Sequence, residues 1–115
     1  MFIGHVSEIP KIPVAAPGAE KVWKQSLIGP GQGWQGWVMR QFTVEAGGYT
    51  PRHRHPWPHI NYILQGWGVL YLEGIEHPVK AGSVAYVPPN ADHQFSNPGP
   101  GNFVFLCIVP EQGDV

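Results

Sequence analysis

Between Val38 and Val44 the chain alternates, with Val38, Arg40, Phe42 and Val44 on one face and Met39, Gln41 and Thr43 on the other. Successive strand residues point to opposite sides of a sheet, so this stretch predicts a strand whose first face is inward. Further short runs rich in Val, Ile, Phe, Tyr and Trp follow: "INYILQG", "GVLYLEG", "SVAYVPP" and "NFVFLCIVP". Each is bounded by Gly, Pro or Asn, the pattern of an all-β sandwich or barrel. In the last run both faces are apolar, so alternation leaves open whether Phe103, Phe105 and Cys107 or Val104 and Leu106 face inward. Tyr62, Tyr71 and Tyr86 read as barrel packing, as aromatic strand residues usually are.

Thirteen prolines and fifteen glycines are spread along the 115 residues, which makes long helices improbable. No fixed-period repeat or interdomain linker interrupts the pattern, and one domain of ordinary size is expected. Residues 1–36 read as an N-terminal arm and edge strand, with "GPGQGWQG" a loop whose Trp34 docks on the barrel, and residues 37–115 as the barrel itself. The formal net charge is −1 with no block of like charges, which argues against nucleic acid and anionic membrane as partners. Cys107 is the sole cysteine, so no internal disulfide forms. With no signal-like N-terminus and no apolar run of membrane length, a cytoplasmic protein is the expectation.

The chemistry concentrates in "RHRHPWPH", residues 52–59, which holds three of the six histidines. On a strand His53 and His55 share a face, so two imidazoles converge on one point, while Arg52 and Arg54 alternate away from it. Pro56 and Pro58 forbid regular ladder bonds and turn the chain. His59 then opens the next strand and returns to the same point. Neutral imidazole suits Zn, Cu, Fe, Ni or Mn. His5 and His77 read as surface residues.

The spacing extends beyond the octapeptide. Five residues separate Gly47 from His53, one His53 from His55, three His55 from His59, and six His59 from Gly66. Five more lie between Gly82 and Pro88, two between Asn90 and His93, and three between His93 and Asn97. This resembles the paired motifs of the cupin superfamily, G-x5-H-x-H-x3/4-E-x6-G and G-x5-P-x-G-x2-H-x3-N, over about residues 40–110. The resemblance implies a double-stranded β-helix, the conical jelly-roll barrel of cupins, with a metal near its mouth. It implies His53, His55 and His93 as ligands, with His59 where the family usually has glutamate. Asn90 stands in place of the second-motif glycine, and asparagine tolerates a left-handed turn. The all-histidine set is most similar to the small single-domain, manganese-type cupins. One divalent ion per chain, Mn or Fe, is the expected cofactor, with Zn, Ni or Cu as alternatives.

Four neutral imidazoles would leave a divalent ion its formal +2, favouring an anionic chelating substrate in the open positions. Arg40 is either an anion-holding group in the pocket or a rim residue paired with a carboxylate. Cys107 and Phe105 join the pocket if the last strand turns that face inward; otherwise Cys107 is a buried small hydrophobe. Trp57 either walls the substrate entrance or packs in a homodimer interface, an assembly common among small cupins. With few candidate general bases, the expected function is dioxygenase-like oxidation of a small anionic, enolic or phenolic molecule. The alternatives are a non-catalytic metal- or small-molecule-binding cupin and a Lewis-acid isomerase or lyase.

Overall fold

The computed structural model describes residues 1–114. Its strands are β1 (Ile12–Pro13), β2 (Glu20–Ile28), β3 (Trp37–Tyr49), β4 (His59–Gln65), β5 (Trp67–Leu72), β6 (Ile75–Lys80), β7 (Val84–Val87), β8 (His93–Ser96) and β9 (Phe103–Pro110). The remaining regular structure is three single 3-10 turns, at Val6–Glu8, Pro30–Gln32 and Glu111–Gly113. All nine strands belong to one curled sheet with neighbour order β6-β5-β8-β3-β9-β4-β7, while β2 pairs with β3 and β1 with β2. This is the expected all-β architecture, one sheet curled on itself. No helix among the described residues is long and apolar enough to cross a membrane.

β3 joins the two halves of the barrel. Residues 37–44 pair with β9, and Tyr49 at the other end pairs with Ser96 of β8. Two residues of tight turn, Glu73 and Gly74 with φ of 47° and 86°, reverse β5 into β6. Gly66, with φ of 74°, ends β4, and its missing side chain leaves room for the carbonyl of Asn102. A residue with a Cβ would meet both a left-handed backbone and that oxygen.

Inside the curl, Val22, Val44, Ile63, Leu70, Val87, Ala91, Phe95, Phe103 and Phe105 form one cluster. Phe95 and Phe105 stack with centroids 4.3 Å apart, and Phe103 closes on Phe105 at 5.3 Å. The last strand therefore turns Phe103, Phe105, Cys107 and Val109 inward, the face that alternation alone left undecided. Val22 of β2 also enters this core, whereas the first nine residues lie almost wholly on the surface.

Two expectations are corrected. Tyr62 and Tyr86 do not pack in the barrel but stand exposed on its outer side, because β4 and β7 turn Asn61, Ile63 and Val87 inward instead. Trp34 does not dock on the barrel core; it stacks on the equally exposed Trp37, centroids 6.5 Å apart, at the end of the sheet.

The aromatic cluster carries much of the apolar burial. Phe103→Ala is expected to lower the unfolding free energy by about 3–5 kcal/mol, the usual cost of emptying a fully buried aromatic site. Urea denaturation followed by tryptophan fluorescence measures it, and a loss below about 1 kcal/mol would contradict this packing.

Candidate metal centre

The histidines reach one point through different local structures. His59 is the first residue of β4 and His93 the first of β8. His53 and His55 were expected on a strand, but only His53 pairs, in an isolated antiparallel bridge with His93. Two backbone hydrogen bonds make that bridge, His53 N–H to His93 C=O at 3.1 Å and the reverse at 3.0 Å. A third, from Asn90 N–H to His55 C=O at 2.7 Å, ties down the irregular segment that follows. Asn90 adopts φ of 66°, so the turn survives the loss of glycine.

The ligand-bearing nitrogens of His53, His55 and His93 lie within 4.8 Å of one another, a group able to hold a metal ion. His59 is beside them, its Nε2 3.1 Å from Nε2 of His93. Three of the rings have their other nitrogen engaged. Nδ1 of His55 is 2.8 Å from the carbonyl of Trp57, and Nδ1 of His93 is 2.9 Å from the carbonyl of Ala91. Nδ1 of His59 is 2.6 Å from Oδ1 of Asn61, whose own Nδ2 donates to the carbonyl of Leu106. Each acceptor is an oxygen that cannot donate, so each Nδ1 carries the proton and each Nε2 is bare in the neutral ring.

That assignment makes the 3.1 Å approach of His59 and His93 informative. Two bare nitrogens cannot bond each other. Burial first, then the neighbouring His93, pushes the His59 imidazolium down to about 3, and burial likewise lowers His93. His53 is lowered to about 4, again chiefly by desolvation. A shared proton is therefore disfavoured, and a cation is what these lone pairs are built to meet. Two nitrogens bound at right angles to one ion at about 2.0–2.1 Å would stand about 3 Å apart. The donor set fits a divalent transition metal.

The ring cluster borders a cavity of about 670 Å³ running into the barrel. Phe42, Phe95, Phe105 and Trp57 supply aromatic wall, and Val14 and Pro17 of the N-terminal arm close one side. Trp57 stacks on His55 at 4.7 Å with planes 8° apart and rests against Gly113. Arg40, Cys107 and Phe105 all face this space. Arg40 is buried, with Nη2 donating to Sγ of Cys107 at 3.2 Å and Nη1 3.7 Å from Oδ1 of Asp114. Both readings of Arg40 thus meet: it has a carboxylate near, but Asp114 binds Lys24 more closely, at 2.7 Å. Burial raises the Cys107 thiol despite the nearby guanidinium, so the sulfur stays protonated at neutral pH.

Arg52 and Arg54, expected to point away, border the cavity mouth. Arg52 donates twice to Asp92, at 3.0 and 3.1 Å, and once to the Tyr71 hydroxyl at 2.6 Å. Asp92 raises the Arg52 guanidinium accordingly. Since Arg52 precedes His53 and Asp92 precedes His93, this pair fastens the two ligand segments beside their backbone bridge. His5 and His77 are exposed, as expected, and are not part of the cluster. Asn61 and Asp114 were not singled out from the sequence. The available signal for Asn61 was its place two residues after His59, a polar residue on the inward face of an apolar strand.

Residues 40–109 match the Cupin_2 family, described as a cupin domain, and the chain belongs to that family. Among solved structures it is similar to the polyketide cyclase RemF from Streptomyces resistomycificus, with TM-score 0.90, 29% identity, and coverage of 96% of this chain and 79% of that one. A predicted oxalate decarboxylase from Thermotoga maritima has the same fold, with TM-score 0.87, 24% identity, and 95% and 98% coverage. Auxin-binding protein 1 of Arabidopsis thaliana is 34% identical over 76 residues, 58% of this chain and 38% of that protein. The chain spans less than two thirds of the length of the first curated relatives it matches.

Two outcomes follow from the ring geometry. Asn61→Ala removes the acceptor that fixes the His59 tautomer and should weaken divalent metal affinity 10–100-fold, read by chelator competition. In the metal-free chain, His59 has a folded value below its unfolded one of about 6.5, so the unfolded state takes up protons first as pH falls. Stability is then complete above about pH 6.5 and lost on acidification toward the folded value. At pH 5 His59 alone should cost about 2 kcal/mol relative to pH 7.5, and a flat urea midpoint across that range would contradict the buried neutral ring.

Proposed function

We propose that this cupin binds one divalent metal, Mn or Fe, through His53, His55, His59 and His93, and oxidises a small phenolic or enolic anion in a dioxygenase-like reaction. The observation that carries the substrate class is the cavity's composition. Apart from the Thr50 hydroxyl and the Cys107 thiol, its bordering side chains are aromatic, aliphatic, imidazole or guanidinium, with no carboxylate, lysine or tyrosine among the described residues. A flat apolar body with an anionic oxygen suits such walls.

Held by His53, His55, His59 and His93, the ion would supply Lewis acidity and the redox chemistry that activates dioxygen. The protein's own residues do the rest. Nδ1 protons held by Asn61, Ala91 and Trp57 keep the Nε2 atoms of His59, His93 and His55 aimed at the centre. Phe42 and Phe105, stacked at 5.6 Å, and Trp57 flank the body of the substrate and exclude water. Arg40, whose carboxylate partner is shared with Lys24, leaves net positive charge facing the cavity and attracts the anion.

Oxidation is favoured because the described residues lining the cavity offer no carboxylate, lysine or tyrosine as acid or base, Cys107 is held protonated, and the histidines would serve the metal. A second reading, Lewis-acid ring closure or isomerisation without oxygen, is favoured by the likeness to the polyketide cyclase RemF. Both require the same metal and the same class of substrate.

Metal-loaded protein should therefore consume oxygen with catechols or cyclic 1,3-diketones, and product without oxygen uptake under nitrogen would move the assignment to the second reading. Arg40→Met should weaken binding of these anions about 10–100-fold, in line with a charge-assisted hydrogen bond, and leave neutral methyl ethers unaffected. Equal affinities of anions and ethers for the unaltered protein would refute the anionic substrate class.

A further inference from the structure

One polar row crosses the inward face of three neighbouring strands. Register sets Arg40 of β3 opposite Cys107 of β9, and Cys107 in turn opposite Asn61 of β4. Apolar rows flank it, Phe42, Phe105 and Ile63 on one side and Val38 with Val109 on the other. All three polar-row residues are buried. Asn61 is satisfied within the fold, by His59 and the carbonyl of Leu106. Arg40 is not.

The Arg40 side chain is 9% exposed, so water cannot serve most of its five N–H donors. Nη2 meets the Cys107 sulfur at 3.2 Å, a weak acceptor. Nη1 lies 3.7 Å from Oδ1 of Asp114, an ion pair too long for a hydrogen bond. Nε is buried and has no hydrogen-bond partner among the described residues. Buried donors in folded proteins are nearly always paired, so this one calls for an acceptor from outside the fold.

The charges point the same way. Oδ1 of Asp114 is 2.7 Å from Nζ of Lys24 on β2, much closer than it is to Arg40. Lys24 and Asp114 are 22% and 26% exposed, and neither borders the cavity. Arg40, Lys24 and Asp114 together carry one net positive charge, and the member that faces the cavity is Arg40. A phenolate or enolate that chelates a metal spends its charge on the ion. The guanidinium still lacks a counter-charge.

We infer that Arg40, with the Cys107 thiol beside it, forms a carboxylate subsite, and that Lys24 keeps it open by holding Asp114 off the guanidinium. The substrate accordingly carries a carboxylate besides the oxygens that chelate the metal; that chelation rests on the function proposed above, whereas the subsite does not. A planar guanidinium with Nε–H available matches a planar carboxylate. The Phe42 ring, 4.9 Å from the guanidinium carbon, supports that plane. Lys24 is a positioning residue, acting through Asp114 without touching the ligand. Were it lost, Asp114 would need to move only about 1 Å to hydrogen-bond Arg40 and compete for it.

Isothermal titration of the metal-free protein tests this, with 4-hydroxybenzoate and its neutral isostere 4-hydroxybenzamide as probes. The carboxylate should bind at least about 10-fold more tightly, in line with a charge-assisted hydrogen bond, and Arg40→Met should abolish the preference. Lys24→Met should weaken 4-hydroxybenzoate about 10-fold although Lys24 borders no part of the cavity. The Lys24→Met/Asp114→Asn double variant should restore it, whereas a loss through disturbed packing would persist. Lys24 and Asp114 are partly exposed, so this series stands even where Arg40→Met folds poorly. Equal affinities for the two probes, a Lys24→Met variant that binds as tightly as the unaltered protein, or no recovery in the double variant would each overturn the assignment. None of these measurements involves the metal, so a loaded protein that consumes no oxygen would sink the oxidation reading and leave the subsite standing.

Discussion

The site depends on three backbone hydrogen bonds that join residues 53–55 to residues 90–93. His53 and His93 exchange a pair, and Asn90 donates to His55. The second segment is held on its other side by β5, where Leu72 pairs with His93, but the first has no ladder of its own beyond the bridge at His53. Without these bonds the run from Arg52 to Pro58 would be a proline-stiffened loop with no fixed place relative to β8. With them, the Cα atoms of the histidines from both motifs are set by the backbone itself. The side chains reinforce the same join, because Arg52 grips Asp92 immediately beside the bridge. Preorganisation of this kind lets binding energy go into coordination instead of ordering the loop.

Holding several imidazoles together has an electrostatic cost that the fold meets by burial. His53, His59 and His93 all have their imidazolium forms disfavoured, with desolvation the leading cause in each. Burial thus keeps the rings neutral and available as ligands at physiological pH, where exposed histidines would be partly protonated. The same burial holds Cys107 as a thiol. Arg40 is the exception, a permanent cation in the same apolar surroundings. It lies over the Phe42 ring at 4.9 Å, touches the sulfur, and is only loosely paired with Asp114. An incompletely neutralised guanidinium beside the histidine cluster gives the cavity a positive field, so the anionic substrate we propose answers to how the barrel interior is balanced.

Much of this was legible because strand periodicity and ligand spacing are local properties. Gly47, His53, His55, His59, Gly66 and His93 could be placed by counting, and the alternation from Val38 to Val44 correctly turned Arg40 inward. What counting could not reach were relations between distant segments. The inward face of β9 was undetermined because both of its faces are apolar; pairing with β3 and β4 decides it. Asp114 as a partner for Arg40 and Lys24 depends on a closing turn more than seventy residues downstream of Arg40. Tyr62 and Tyr86 were misplaced for a physical reason: β-propensity reports fit to a pleated surface, and the outer face of a strand can carry the same composition as its core face.

β4 shows why that ambiguity is tolerable in the folded chain. Its sequence, His-Ile-Asn-Tyr-Ile-Leu-Gln, is apolar at every outward position and divided between site and core inward. A one-residue slip would place Ile60 and Tyr62 at the histidine cluster and expel His59 and Asn61 to the surface. Apolar character alone would not oppose such a slip, since both faces are rich in it. The opposition comes from polar satisfaction: Asn61, 1% exposed, has its amide joined to His59 and to the carbonyl of Leu106. In any other register those groups would be buried unpaired or lost to solvent. Pro58 before the strand and the left-handed Gly66 after it fix the two ends. The buried asparagine therefore does two things at once, selecting the register of the strand and the tautomer of His59, which is why the geometry of the histidine cluster and the fold cannot be separated at this position.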